Sequence, residues 1–215
     1  MEILNVEEKD KNEIFEISKN SFEWGDYINE VFDLWLKEGI FIKAVDNNAI
    51  LGFLHIKVFD KFVWLEGLRV KTEYRKKGIG SELTKKAIEL AGNKVIRLLI
   101  SETNIASLNL AKKFNFNIID HVYYKEGERL EFNQLIEKLN LKKSNELLLE
   151  NYMDKWVYYE NEYYKDYIYK NDEGVKILNT NPPFILQGKI DFENMNKQSG
   201  DECLLILEKR NNKYF

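Results

Sequence analysis

At Gly80 the spacing of apolar residues changes period, and the segment just before it is basic and carries glycine. Upstream, Ile50–Phe59 and Phe62–Val70 are rich in β-branched and aromatic residues, the pattern of strands, with Asp60-Lys61 short enough for a hairpin. Downstream, Leu83, Ala87, Ile88 and Ala91 recur at helical spacing, and Gly92-Asn93 ends the run. Between them lies Lys71-Thr72-Glu73-Tyr74-Arg75-Lys76-Lys77-Gly78-Ile79-Gly80. A strand therefore runs into a loop that opens a helix. The first helical turn leaves backbone N–H groups without intrahelical partners, and the helix dipole adds positive potential there. A phosphate or pyrophosphate fits such a place. Gly78 and Gly80 let the anion approach the backbone, and Arg75, Lys76 and Lys77 add charge at the rim. The loop lacks the Lys-Ser/Thr pair of a Walker A sequence and the three-glycine spacing of a dinucleotide fingerprint. Alone, the string also fits an ordinary turn with solvated lysines. The strand before it, the helix after it and the next strand–helix pair favour the anion site.

The rest of the chain supplies a sheet for this loop. Met1–Val6 alternates weakly, as an edge strand does. Lys11–Lys19 and Asp26–Glu38 have helical spacing, the second ending at Gly39. Ile40–Val45 reads as a strand, Val95–Ser101 as a buried one, Ala106–Phe114 as a helix and Phe116–Tyr124 as another strand. The fold class is α/β (α+β): a mixed central β-sheet flanked by helices, plus a smaller C-terminal α+β region. Leu130–Leu149 is expected to be helical, Pro182-Pro183 to turn, and Leu204–Leu207 to close as a strand. The expected division is a domain over residues 1–135 and a further region over 136–215.

Composition narrows the classes. Of 215 residues 44% are hydrophobic and 32% charged, enough to build a real core. A net charge of −4 offers no global basic field for nucleic acid or an anionic membrane. No apolar run approaches the ~18–20 residues of a membrane span, and the acidic start of the chain has no signal-peptide pattern. Cys203 is the one cysteine, which excludes an intrachain disulfide and points to a reducing, cytoplasmic setting. It reads as a core thiol. The histidines and Cys203 show no metal-ligand spacing.

Arg75, Gly78 and Gly80 match the Gln/Arg-x-x-Gly-x-Gly/Ala loop of the GNAT superfamily of acyl-CoA-dependent N-acyltransferases, which residues 1–125 resemble. Leu68 and Val70 stand where that family has its strand before the loop. Ser101-Glu102-Thr103-Asn104 matches the end of the next strand, and Ala106–Phe116 the helix and Gly-Phe that follow. The resemblance implies acetyl-CoA as cofactor, held by Leu68, Arg69, Val70, Arg75, Lys76, Lys77, Gly78, Ile79, Gly80, Ser81 and Asn104. It also implies a sheet splayed beside Leu65–Val70, exposing N–H groups to the thioester oxygen. Two positions depart from the family. Ala111 stands where a tyrosine often serves as acid toward the leaving thiolate, and Asn115 replaces the glycine of Gly-Phe. Trp24-Gly25-Asp26-Tyr27, Trp35-Leu36 and Leu65–Val70 further resemble a smaller group that includes the vertebrate histidine N-acetyltransferases. That implies a free amino acid or similar small amine as acceptor.

Amine acylation needs a neutral amine, so a base matters, most for a side-chain amine of pKa ~10.4. Glu66 is the first candidate. By strand alternation it shares a face with Leu68 and Val70; a glutamate salt-bridged to Arg69 is the competing reading. His55 and His121 titrate near neutrality, but each lies in a predicted strand, where a hydrogen-bonded structural histidine is commoner. Tyr123 and Tyr124 are candidates for the missing acid, or simply pack. Arg69 and Arg97 could bind a substrate carboxylate, though a structural ion pair suits both. Trp24 and Tyr27 line an acceptor pocket or pack in the core. The tyrosine-rich stretch Tyr152–Tyr169 fits a packed, half-wet sheet better than a cation pocket, and it either caps the acceptor site or forms a homodimer surface. The expected activity is transfer of an acetyl group from acetyl-CoA to the primary amine of a small molecule such as an amino acid or polyamine. A non-catalytic acyl-CoA sensor and a protein acetyltransferase are the rival expectations.

Overall fold

The strand and helix runs of the chain form β1 (Glu2–Asn5), α1 (Lys11–Ser18), α2 (Ile28–Trp35), β2 (Ile40–Asp46), β3 (Ala49–Val58), β4 (Phe62–Val70), α3 (Ile79–Ala91), β5 (Val95–Ser101), α4 (Ile105–Lys113) and β6 (Asn117–Lys125). They continue as α5 (Phe132–Lys138), β7 (Lys142–Ser144), β8 (Leu149–Asp154), β9 (Val157–Tyr163), β10 (Ile168–Lys170), β11 (Lys176–Leu178), β12 (Phe184–Gln187) and β13 (Asp201–Lys209). The structure, a computed structural model, describes residues 1–19, 21, 26–125, 132–146, 149–164, 166–181, 183–187 and 201–210. Trp24, expected at the acceptor pocket, and Pro182 lie outside the described residues. The chain divides into one unit of Met1–Asp120 with Leu205–Phe215 and a second of His121–Leu204. The boundary expected after residue 135 thus falls inside the second unit.

The first unit is built on a seven-stranded sheet of order β1-β2-β3-β4-β5-β13-β6. β1 to β4 pair antiparallel, and β4 pairs with β5 in parallel, so the sheet is mixed. The Leu204–Leu207 segment does form a strand, but within the sheet, between β5 and β6. Helices cover both faces. On one, Ile14 of α1 and Ile28 and Phe32 of α2 are wholly buried with Phe41 and Phe53. Each such side chain contributes about 1.5–3 kcal/mol of transfer free energy. The rings meet edge to face, Phe32–Phe41 at 5.8 Å and Phe41–Phe53 at 5.9 Å. On the other face, α3 turns its buried Leu83 and Ala87 inward and packs against β3 and β4. Lys43 of β2 is buried because Asp10 pairs with it, and Asp10 also accepts the Glu7 N–H at 2.7 Å.

The second unit holds an antiparallel four-stranded sheet, β12-β11-β10-β7, and a β8–β9 hairpin. Among the described residues of this stretch the helix covers Phe132–Lys138 and Lys142–Ser144 is a strand, which corrects the expectation of a helix over Leu130–Leu149. Asn140 takes φ +48, the Leu141 N–H bonds Ile136 O at 2.9 Å and the Asn140 N–H bonds Glu137 O at 3.3 Å. This is a Schellman stop with asparagine in the left-handed position. Leu141 packs in the same cluster as Ile136, and the chain turns into β7. The tyrosines pack on one another: Tyr152 stacks on Tyr159 at 5.0 Å and meets Tyr164 edge-on at 5.2 Å.

Candidate active site

The register between β3 and β4 slips once. Phe53 faces Arg69, and His55 faces Glu66, so β4 carries one residue more than β3 over this stretch. Gly67 takes φ +68 there, a bulge with glycine in the left-handed region. A side chain at Gly67 has no room either: a Cβ would lie 2.3 Å from Cη2 of Trp35. The bulge overturns simple alternation. Phe53 and His55 share a face of β3, so Glu66 and Arg69 share a face of β4. Leu68 and Val70 point to the other face, where a Cβ on Gly80 would rest 3.8 and 3.9 Å from them.

Beside the bulge the sheet opens. β4 and β5 are in register from Phe62↔Val95 to Leu65↔Leu98, yet β4 runs on to Val70 and β5 to Ser101. Past Leu65 the strands part, and the β5-facing backbone groups of that stretch fall outside the ladder.

Glu66 is partnered by His55, not by Arg69. Its Oε1 lies 2.8 Å from His55 Nδ1, and His55 Nε2 lies 2.6 Å from the Glu38 carbonyl oxygen. The imidazole is wholly buried, stacked at 4.5 Å and 6° on Trp35. Gly39, at φ +80, keeps this space clear: a Cβ there would lie 2.9 Å from His55 Nε2. Glu66 retains 19% of its side-chain exposure. The Arg69 guanidinium is held by Asp26, through Nε at 2.7 Å and a second nitrogen at 3.2 Å, and another of its nitrogens donates to Leu68 O at 3.1 Å. Arg69 also lies over the Tyr27 ring at 5.7 Å. Burial pushes the Tyr27 phenol up to about 12; Arg69 works against this, and Glu66 and Asp26 add to it. Tyr27 and Trp35 meet edge to face at 6.1 Å, so Tyr27 belongs to the wall that shields this pair.

The loop before α3 has the shape its sequence implies. Lys76 and Gly78 both have positive φ, +60 and +89. Gly78 is the N-cap of α3 and offers no side-chain acceptor to the first turn, which begins with Ile79, Gly80 and Ser81. A Cβ on Gly78 would meet nothing within 4 Å. The N-cap thus leaves the first-turn N–H groups without a side-chain acceptor and its own surroundings open, which suits an incoming pyrophosphate. Arg75 Nε donates to Val70 O at 3.2 Å, and Lys77 lies 4.9 Å from the Tyr74 ring centroid. Lys113 of α4 was not singled out from sequence, yet its Nζ donates to Ser81 Oγ at 3.1 Å. Only the packing of α4 beside α3 reveals that fourth cation.

α4 and the turn that ends it carry the two departures from the family pattern. Asn104 is its N-cap, its Oδ1 accepting the Ser107 N–H at 3.1 Å, which leaves its NH₂ group for a ligand. Ala111 is buried. Asn115 takes φ +58, with the Phe116 N–H on Ala111 O at 3.1 Å and its own N–H on Lys112 O at 3.0 Å. Asparagine thus holds a left-handed position after the helix, a conformation that glycine also suits. Arg97 pairs with the buried Glu208 of β13 at 2.9 Å. His121 and Tyr123 are exposed on β6; the backbone of Tyr124 lies in β6 and its side chain is outside what is described. Among the described residues, no three His, Cys, Asp or Glu group to hold a metal ion, and no helix is long and apolar enough to cross a membrane.

The model of the acetyltransferase (GNAT) family matches residues 10–116. No curated relative matches the sequence. Among solved structures, a candidate acetyltransferase from Thermoplasma acidophilum aligns over 98% of this chain and 100% of its own, at 18% identity and a TM-score of 0.64. The ribosomal-protein-S18-alanine N-acetyltransferase of Escherichia coli aligns over 100% of this chain and 99% of its own, at 14% identity and a TM-score of 0.53. Ard1 from Thermoplasma volcanium aligns over 56% of this chain and 85% of its own, at 20% identity and a TM-score of 0.51. At these identities the likeness is one of fold.

Proposed function

This chain belongs to the GNAT acetyltransferase family through residues 10–116, and from that footing we propose that it acetylates a slender primary amine on a small molecule, such as an amino acid or polyamine. The family is acyl-CoA-dependent, so coenzyme A is the cofactor and its thioester supplies the acetyl group. The uncapped first turn of α3 would hold the pyrophosphate, with Arg75, Lys76, Lys77 and Lys113 around it and the Asn104 NH₂ group as a further donor. N–H groups of β4 past Leu65 would polarise the thioester carbonyl. Glu66 takes the proton from the amine. Holding both reactants together supplies much of the barrier reduction.

The observation that carries this reading is Glu66 itself. It is a carboxylate at the bulge, next to the splayed end of β4, and only 19% exposed. So narrow an approach favours a small amine over a folded protein surface. Arg69 is engaged by Asp26, so it serves to fix Tyr27 and the bulge and not to bind a substrate carboxylate. Ala111 favours one second reading, an acyl-CoA sensor without turnover. One experiment separates the two: titrate the protein with acetyl-CoA in a calorimeter, then add amino acids and polyamines and follow free thiol. Binding with amine-dependent thiol release supports the enzyme. Binding without release for any amine supports the sensor.

A further inference from the structure

We propose that His55 is a positioning residue that shares one proton with Glu66, so that the base facing the amine is the pair. The inference rests on Glu66 receiving the amine proton. A carbonyl oxygen only accepts hydrogen bonds, so the 2.6 Å contact to Glu38 O places a proton on His55 Nε2. The neutral ring then has a bare Nδ1, and Nδ1 lies 2.8 Å from Glu66 Oε1. Two lone pairs repel at that distance, so a proton lies between them. The structure is therefore the proton-loaded form of the pair.

The surroundings make this proton special. The ring is wholly buried, with Trp35 stacked on it and Phe41 edge-on at 5.8 Å. It cannot turn without breaking both hydrogen bonds, and its Nδ1 reaches solvent only through Glu66. Around the pair, Arg69 is paired with Asp26, the Tyr27 phenol is protonated, and the bend after α2 presents the Glu38 carbonyl. Losing the shared proton thus leaves an anion whose oxygen faces a nitrogen lone pair. In the step, an amine N–H bond breaks, its electron pair stays on nitrogen, and the proton settles between Oε1 and Nδ1. The pair passes from charge −1 to 0, and Glu66 later returns the proton to water.

The test uses the full chain. His55→Asn keeps a donor toward Glu66 but cannot accept a proton. The acidic limb of its kcat/KM profile for the amine should move at least about one pH unit lower and its plateau drop tenfold or more, with acetyl-CoA affinity unchanged. A lower plateau with the limb unmoved would make His55 merely structural and overturn the proposal. Glu66→Gln separates the two readings: wild-type turnover in that variant removes Glu66 as base, whereas its loss alongside an unmoved His55→Asn limb defeats only the pairing. Nitrogen NMR of the resting protein does not depend on the His55 variant folding. The chain has two histidines, so the His55 signal is assignable with a His121 variant. Nε2 should stay protonated throughout, while the Nδ1 titration midpoint drops by about one unit or more in Glu66→Gln. An unchanged midpoint would refute proton sharing.

Discussion

Gly67 and Trp35 are so close that a Cβ on the glycine would lie 2.3 Å from Cη2 and 2.6 Å from Cζ3 of the indole. The same glycine holds φ +68. Gly67→Ala must therefore strain the backbone, at about 1–2 kcal/mol, and push Trp35, at about 1–3 kcal/mol more. Trp35 is the ring on which His55 stacks, so turnover should fall along with stability. Urea unfolding and thiol release read the two effects. An unchanged unfolding midpoint would mean that the bulge does not depend on glycine.

The two glycines of the anion loop should behave differently. Gly80→Ala places a methyl at 3.5 Å from Leu110 and farther from Leu68 and Val70, an ordinary contact, so the fold should tolerate it. Gly78→Phe meets open space but carries φ +89, a strain of about 1–2 kcal/mol. Its ring would stand before the uncapped first turn of α3, and coenzyme A affinity should fall tenfold or more by calorimetry. Equal affinity in Gly78→Phe and wild type would remove this loop from the cofactor site.

Glu208 lies between two arginines, Arg97 at 2.9 Å and Arg210 at 2.6 Å. Glu208→Ala would leave the buried Arg97 without that counter-charge and should cost about 3–5 kcal/mol. Burial alone would raise the Glu208 carboxyl, but the hydrogen bonds from Arg210 and Arg97 outweigh it and hold it below the usual range. A carboxyl lowered on folding contributes stability above its unfolded value of ~4.3, lost as pH falls through the folded value. Unfolding midpoints measured from pH 5 down to 3 should drop less steeply in Glu208→Gln than in wild type. Parallel curves would contradict the pairing.

Tyr27 gives the opposite sign at the alkaline end. Its phenol rises to about 12 on folding, chiefly through burial, against ~10 unfolded. A group raised on folding stabilises below its unfolded value and loses that contribution as pH climbs through the folded one. Stability should therefore decline between roughly pH 10 and 12, and Tyr27→Phe should flatten that decline. Ultraviolet titration of tyrosinate in the folded protein checks the assignment directly: a phenol at Tyr27 ionising near 10 would contradict it.

What local pattern encodes is legible in the sequence. The strand, basic loop and helix around Gly78 follow from period and composition, and the loop has the expected shape. Pairing information is not. Nothing in the run Leu65–Val70 announces an extra residue at Gly67, because a bulge exists only relative to the neighbouring strand. Alternation therefore put Glu66 beside Leu68, while the register puts it beside Arg69 and opposite His55. The partner of Arg97 was illegible for the same reason: Glu208 is 111 residues away. Helix ends failed where asparagine replaced glycine. Asn140 takes the left-handed position, and without a glycine to mark it the helix was extended into β7 and β8.

The place of β13 governs how the protein can be made. β5 and β6 are separated by a strand that the ribosome delivers only after residue 201. Until then the nascent sheet lacks its next-to-last strand, and the facing edges of β5 and β6 stay unpaired. The stretch that resembles the family in sequence is thus synthesised long before its sheet can close. Such late, long-range closure is slow and leaves open edges to pair with the wrong partner. A fragment ending near Phe116, although it covers the basic loop, would lack both β6 and β13 and leave the edge of β5 permanently open.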